Sequence, residues 1–259
     1  MFGPLVLASF LAFASVVSST GILLPLYVWP EDDSTWAPVY NAVSSHPDIL
    51  FQIIVNPDSG PGDSAYPDEN IIAGVAKLNS YDNVQVLGYI PTNYAERDIS
   101  EVIDDISIYS KWSSNKSKNI TVSGIFFDEA PNTNDADKIS YMQSVSKSAK
   151  SGCLSTVVFN PGATLEDGSA DGYFEAADLI VEFENSYSAW TTNIPANKFS
   201  SSKNYSKDAI ILYSAPMTLD YEAVVQEAQS MGLGAAYLTN TDNYMSVETV
   251  QKVAASFVQ

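Results

Sequence analysis

Short runs of β-branched and aromatic residues recur along the chain, each followed by a stretch with the wider apolar spacing that a helix needs. The runs are Gly21 to Trp29, Leu50 to Asn56, Val84 to Thr92, Gly124 to Asp128, Thr156 to Asn160, Leu179 to Glu184, Ala209 to Tyr213 and Gly234 to Thr239. Helical composition covers Trp36 to Ser45, Glu69 to Asn79, Ile99 to Trp112, Asp135 to Ser151, a short piece near Tyr173 to Ala177, a weak one near Ala196 to Tyr205, Asp220 to Met231 and Val247 to Phe257. Asp98, with Glu101 three residues on, has the form of a capping box, and Ser246 stands where the N-cap of the last helix belongs. This alternation predicts a parallel sheet. Eight such units in about 240 residues favour a closed (β/α)8 TIM barrel of the α/β class over an open doubly wound sheet. The open sheet would carry a GxGxxG turn after its first strand, and none is there.

The first nineteen residues, MFGPLVLASFLAFASVVSS, have the apolar run and small-residue end of a secretory signal peptide. Residues 20–259 are therefore expected to form one domain. Asn115, Asn119 and Asn204 each begin an Asn-x-Ser/Thr sequon, which fits an extracellular route. The single cysteine, Cys153, leaves stability to packing rather than to an intramolecular disulfide. Twelve Lys and Arg against thirty-one Asp and Glu give a formal charge of −19. Such a surface repels phosphate backbones and anionic lipid, so neither a nucleic-acid partner nor stable membrane insertion after signal cleavage is expected. The excess acid reads first as a source of solubility.

The strands end in polar or ring residues: Tyr27 and Trp29, Asn56, Tyr89 and Thr92, Asp128 and Glu129, Asn160, Glu184, Tyr213, and Tyr237 with Thr239. In a barrel the carboxyl ends of the strands build the active site. A Ser-His-Asp or Cys-His system lacks its base there, because the one histidine, His46, lies far from any strand end. A zinc site lacks its usual ligands, and the prolines at 57 and 61 spoil Asn56 to Gly62 as a phosphate cradle. Carboxylates remain, and two of them cleave a glycosidic bond without cofactor or metal. Gly124 to Pro131 and Leu179 to Glu184 supply them on different strands.

Alternation sets Gly124, Phe126 and Asp128 on one face of their strand and Glu129 on the other, and gives Glu182 and Glu184 a shared face opposite Val181 and Phe183. A lone acid at a strand end is more often a helix cap or a solvated loop residue. Two such strands in a chain with no other catalytic set shift the balance, with Arg97 as a candidate partner for the acids. Trp29, Tyr89, Tyr94, Tyr187 and Trp190 offer ring faces to a sugar, although any one of them is more simply packing; Trp112, at helical spacing from Tyr109, packs.

Pro25 to Pro30, Ile54 to Gly62, Gly88 to Thr92 with Tyr94 and Arg97, Tyr109 to Trp112, Gly124 to Pro131, Asn160 to Gly162 and Phe183-Glu184 together resemble the spherulin-4 family of fungal and slime-mould cell-surface proteins. That family is similar to, and partly comprises, glycoside hydrolase family 135. The resemblance implies a (β/α)8 barrel and a secreted or cell-surface endo-α-1,4-N-acetylgalactosaminidase acting on a galactosamine-containing exopolysaccharide. The essential acids of the family fall on Asp128, Glu129 and Glu184. Asp128 is assigned as nucleophile or charge stabiliser, Glu184 as general acid/base and Glu129 as an orienting neighbour. Tyr27, Trp29, Asn56, Tyr89, Tyr94, Arg97, Asn160, Tyr187, Tyr213 and Tyr237 are expected to bind substrate, in a monomer that needs no cofactor. A non-catalytic glycan-binding or coat protein on the same barrel is the alternative. Two departures bear on substrate preference: Ala95 replaces a glycine common before the arginine, and Tyr213-Ser214 stands where relatives often have a histidine.

Overall fold

The computed structural model describes residues 20–192, 199–200 and 205–257. The expected signal peptide and the sequon at Asn204 lie outside the described residues. Eight parallel strands, β1 (Gly21–Leu26), β2 (Phe51–Val55), β3 (Val84–Pro91), β4 (Gly124–Asp128), β5 (Thr156–Asn160), β6 (Leu179–Ser186), β7 (Asp208–Tyr213) and β8 (Ala235–Leu238), close in sequence order into a barrel. Helices α1 (Ala37–Ser45), α2 (Glu69–Leu78), α3 (Ile99–Lys111), α4 (Ala136–Ser151), α5 (Ala170–Ala176), α6 (Tyr187–Thr192), α7 (Tyr221–Met231) and α8 (Val250–Ala255) alternate with them. The (β/α)8 fold read from the sequence is the fold observed. Among the described residues no helix is long and apolar enough to cross a membrane.

Strands that are apolar on both faces explain why the sheet buries both sides. One face fills the barrel with Leu23, Ile54, Leu87, Phe126, Val158, Leu179, Val181, Ala209, Ile211 and Ala235. The other meets the helices in a larger cluster that includes Trp36, Tyr109, Trp112 and Trp190, all fully buried. Each large side chain so buried contributes about 1.5–3 kcal/mol. Trp112 packs against Tyr109, with ring centroids 4.8 Å apart.

Several boundaries differ from expectation for identifiable reasons. β1 ends at Leu26, leaving Tyr27, Val28 and Trp29 in the following loop. α6 starts directly after β6, whereas most of the weak helix expected near Ala196 to Tyr205 falls outside the described residues; Tyr205 begins a 3-10 turn. α8 starts at Val250 because the buried Thr249 hydroxyl donates to the Leu238 carbonyl at 3.0 Å, holding the chain against the end of β8. Ser246 only accepts from the Glu248 amide at 3.3 Å, in the turn before that helix. The capping box of α3 is half formed. Asp98 accepts from the Ser100 amide at 2.8 Å, while Glu101 turns to Arg97 at 3.4 Å.

β6 breaks the simple alternation. Val181 pairs with Ala209 and Phe183 with Ile210, so Glu182 is an extra residue with no cross-strand partner, a β-bulge. Val181 therefore points into the barrel, Phe183 packs outward on Trp190 with ring centroids 5.2 Å apart, and Glu184, level with Ile211, returns to the inner face. Glu182 and Glu184 do not share a face. Without the bulge, strict period-two alternation from Val181 would turn Glu184 toward the helices.

Candidate active site

Asp128 ends β4 on the inner side, above Phe126, and is locked there by its neighbours. The Thr92 amide donates to the Asp128 carbonyl at 2.9 Å, and the Ala130 amide donates to the Asn160 carbonyl at 3.0 Å. The Tyr89 hydroxyl donates to Asp128 Oδ2 at 2.7 Å, and Asn160 Nδ2 donates to Oδ1 at 2.7 Å. Glu184 receives a hydrogen bond from the same Asn160 Nδ2 at 2.6 Å and another from the Tyr244 hydroxyl. Both acids thus lie within 2.7 Å of one amide nitrogen, which puts the two bridged oxygens less than twice that distance apart.

The turn after β5 fixes which end of the Asn160 amide faces the acids. Gly162 adopts a φ of +65°, and its amide donates to Asn160 Oδ1 at 3.1 Å. The Gly162 carbonyl in turn accepts from the Glu184 amide at 3.1 Å. A left-handed residue here favours glycine, so Asn160-Pro161-Gly162 orients the bridge and braces β6 together.

Burial raises the Glu184 carboxyl above the ordinary range. The hydrogen bonds from Tyr244 and Asn160 offset part of that rise, and the Asp128 charge adds to it. Burial followed by the nearby carboxylates raises Tyr89 and Tyr244, so both phenols stay protonated and donate. Tyr27, raised chiefly by burial and next by Asp128, packs edge-on against Tyr89 and Tyr244, with ring centroids 5.6 and 5.8 Å apart.

Glu129 has a φ of +50°, so the alternation that set it opposite Asp128 ends one residue too early to apply. Its side chain is exposed, and its charge is felt at Tyr89. Glu182, 1% exposed, is bound by the Leu165 amide at 3.2 Å, the Ser200 amide at 2.7 Å and the Ser200 hydroxyl, and so ties loops together beside the cleft.

The expected substrate-binding residues separate into groups. Tyr27, Tyr89 and Asn160 surround the acids. Tyr213 stands beside Tyr244 and donates to Asn185 Oδ1 at 3.3 Å. Trp29, 42% exposed, borders a cavity of about 370 Å3 shared with Pro57, Pro61 and Tyr66. Asn56 accepts from the Gly60 amide at 3.0 Å, bracing the β2–α2 loop, and Tyr94 is exposed on the rim. Tyr187, half-buried, opens α6 directly after the end of β6. Two residues are placed differently from expectation. Arg97 is not a partner of Asp128 and Glu184: it binds Asp105 at 2.7 Å, Glu101 and the Pro91 carbonyl, because α3 presents those acids to it. Tyr237, 1% exposed, is sealed in the shell beside Tyr221 and Thr249.

The residue missed from the sequence is Tyr244. It lies in the loop after β8 at a φ of +58°, reaching Glu184 from beyond any strand end. The aromatic directly after the polar run Thr239 to Asn243 was the available signal, and Tyr237 on the strand drew the assignment instead.

Comparison with known proteins places this geometry in context. The Spherulation-specific family 4 (Spherulin4) matches residues 21–259. Spherulin-4 of Physarum polycephalum is 33% identical over 193 residues, which take in 71% of this chain and 52% of the relative; the chain thus spans about half that protein's length. The crystal structure of Aspergillus clavatus Sph3 in complex with GalNAc superposes with a TM-score of 0.84 at 32% identity, covering 92% of this chain and 97% of that one. An endo-β-N-acetylglucosaminidase from Cordyceps militaris shares the fold alone, with a TM-score of 0.58 at 10% identity over 92% of this chain and 91% of its own. The architecture is that of glycoside hydrolase barrels.

Proposed function

The chain belongs to the Spherulation-specific family 4, and from that premise we propose that it is a secreted or cell-surface glycoside hydrolase. On this reading it cleaves an amino-sugar exopolysaccharide internally, at α-1,4-N-acetylgalactosaminide linkages. One observation carries the reading. Two carboxylates from β4 and β6 are joined by a single side-chain amide, and one of them is raised by burial. The GalNAc bound by Sph3 supports the choice of sugar.

The chemistry follows from the roles this asymmetry permits. Glu184, holding its proton longer, protonates the glycosidic oxygen as the bond to the anomeric carbon breaks. Asp128, whose two oxygens both accept hydrogen bonds, attacks that carbon and forms a covalent glycosyl-enzyme. Glu184 then takes a proton from water, which displaces Asp128 and regenerates the acid. Because both bridged oxygens lie within 2.7 Å of one nitrogen, they are closer together than the ~6.5–9.5 Å of inverting enzymes, which supports the retaining reading. Glu129 orients substrate or water from the rim, and Trp29 offers a ring face to a sugar farther along the polymer.

The test is release of oligosaccharides from an α-1,4-linked N-acetylgalactosamine polymer by wild type, Asp128→Asn and Glu184→Gln. Both variants are expected to lose about 10²–10⁴-fold in rate or more. Equal release by all three defeats the assignment, and binding without turnover by wild type favours a non-catalytic glycan-binding protein.

A further inference from the structure

Six side chains form a closed circuit around the floor of the cleft. Asn160 bridges Asp128 and Glu184; Tyr89 binds Asp128; Tyr244 binds Glu184; and the circuit closes through the ring of Tyr27, set edge-on against both tyrosines. We infer that Tyr27 is a positioning residue that holds both acids in register, acting through Tyr89 on Asp128 and through Tyr244 on Glu184.

The two tyrosines need such support unequally. Tyr89 rises from β3, stacks on Phe126 at 6.3 Å, and has its carbonyl held by the Tyr109 hydroxyl at 3.2 Å. Tyr244 hangs from an irregular loop in the left-handed conformation, and the ring contact it makes within the cleft is with Tyr27. Tyr27 meets both tyrosines through its ring, at 81° to each, so the ring does the holding. Tyr27, in the loop that follows β1, thus joins that side of the barrel mouth to acids on β4 and β6 that it does not itself bond.

The titratable groups facing Glu184 are Asp128 from β4, Tyr27 from the β1–α1 loop, Tyr89 from β3 and Tyr244 from the β8–α8 loop, with Tyr213 of β7 behind Tyr244. Burial, the largest cause, raises the Glu184 titration and the Tyr244 hydrogen bond opposes it, so loss of that bond with the site still covered raises the titration further. A role confined to packing would leave that titration in place.

The experiment is 13C NMR titration of protein labelled at its glutamate carboxyls, with Glu184→Gln assigning the resonance. Tyr244→Phe and Tyr27→Leu are expected to move the Glu184 midpoint upward, Tyr27→Phe to leave it unmoved, and the Tyr27→Leu, Tyr244→Phe double variant to move it no farther than Tyr244→Phe alone. Should Tyr27→Leu not fold, Tyr27→Met, which fills the space without a rigid face, takes its place. A wild-type midpoint in the folded leucine or methionine variant overturns the proposal; so does an equal shift in Tyr27→Phe, which would assign the effect to the hydroxyl. Kinetics add a second readout, resting on the glycosidase reading: Tyr27→Leu lowers kcat about tenfold or more, with KM changed far less. Absence of turnover in wild type defeats that reading and leaves the titration to decide the positioning role.

Discussion

The two ends of the barrel solve opposite problems. At the amino-terminal end, side chains satisfy the backbone. Asn83 Nδ2 reaches the carbonyls of Val43, His46 and Ile49 at 3.0–3.2 Å. Lys207 binds the carbonyls of Phe174 and Ala177 at 2.7 and 2.8 Å, and Asp178 accepts from the Val157 amide at 2.8 Å. At the carboxyl-terminal end the chain bears strain instead. Among the described residues, seven of the eight non-glycine positions with positive φ lie there: Ser59, Asn93, Tyr94, Ala95, Glu129, Ser214 and Tyr244. The two candidate catalytic acids also face each other at that end across one amide. One end stabilises the barrel, and the other uses that stability to hold conformations and charges that are unfavourable on their own.

The contrast is sharpened most by removing the bridge. Asn160→Ala frees both acids at once and is expected to lower kcat about 10²-fold, measured on the polymer, because small misplacements of catalytic groups have effects of that size. Asn83→Ala is the counterpart at the opposite end. It removes a donor shared by three carbonyls, of which that of His46 keeps the Ile49 amide, and is expected to cost about 1–3 kcal/mol in denaturant unfolding while kcat holds. Similar losses of activity from both variants would break the division between the ends.

The barrel was legible because apolar runs and helical spacing alternate without interruption, and Asp128 and Glu184 because each acid closes an apolar run. What was not legible is local and three-dimensional. The bulge at Glu182 carries no glycine or proline to announce it, yet it decides which way Glu184 points. Tyr244 acts from a loop, where alternation says nothing. Arg97 looked like a partner for the acids, although Glu101 at i+4 on the next helix was a readable competitor.

Smaller effects probe the strain itself. Ala95, at a φ of +65° within three consecutive left-handed residues, sits where a glycine would relax the backbone. Ala95→Gly is expected to stabilise the fold by about 0.5–1 kcal/mol, read from the denaturation midpoint, because relief of left-handed strain exceeds the added freedom of the unfolded chain. An unchanged or lower midpoint would remove strain at this position from the comparison.

The acid pair has its own signature in stability. Because Glu184 titrates above its unfolded value, the protonated form favours the fold; this contribution is complete below the ordinary carboxylate range and is lost as pH rises through the raised value. Glu184→Gln cannot ionise, so its Tm relative to wild type is expected to improve over the interval from the ordinary carboxylate range up through the raised titration. A relative Tm that falls over that interval would mean that the ionised carboxylate is the better-held form.

The most direct measurement is capture of the reaction intermediate with a fluorinated N-acetylgalactosaminyl fluoride, followed by peptide mapping of the trapped protein. A glycosyl adduct on Asp128, formed by wild type and absent from Asp128→Asn, is the predicted result. An adduct on Glu129 or Glu184, or turnover of the reagent with inverted configuration and no adduct, would contradict the account.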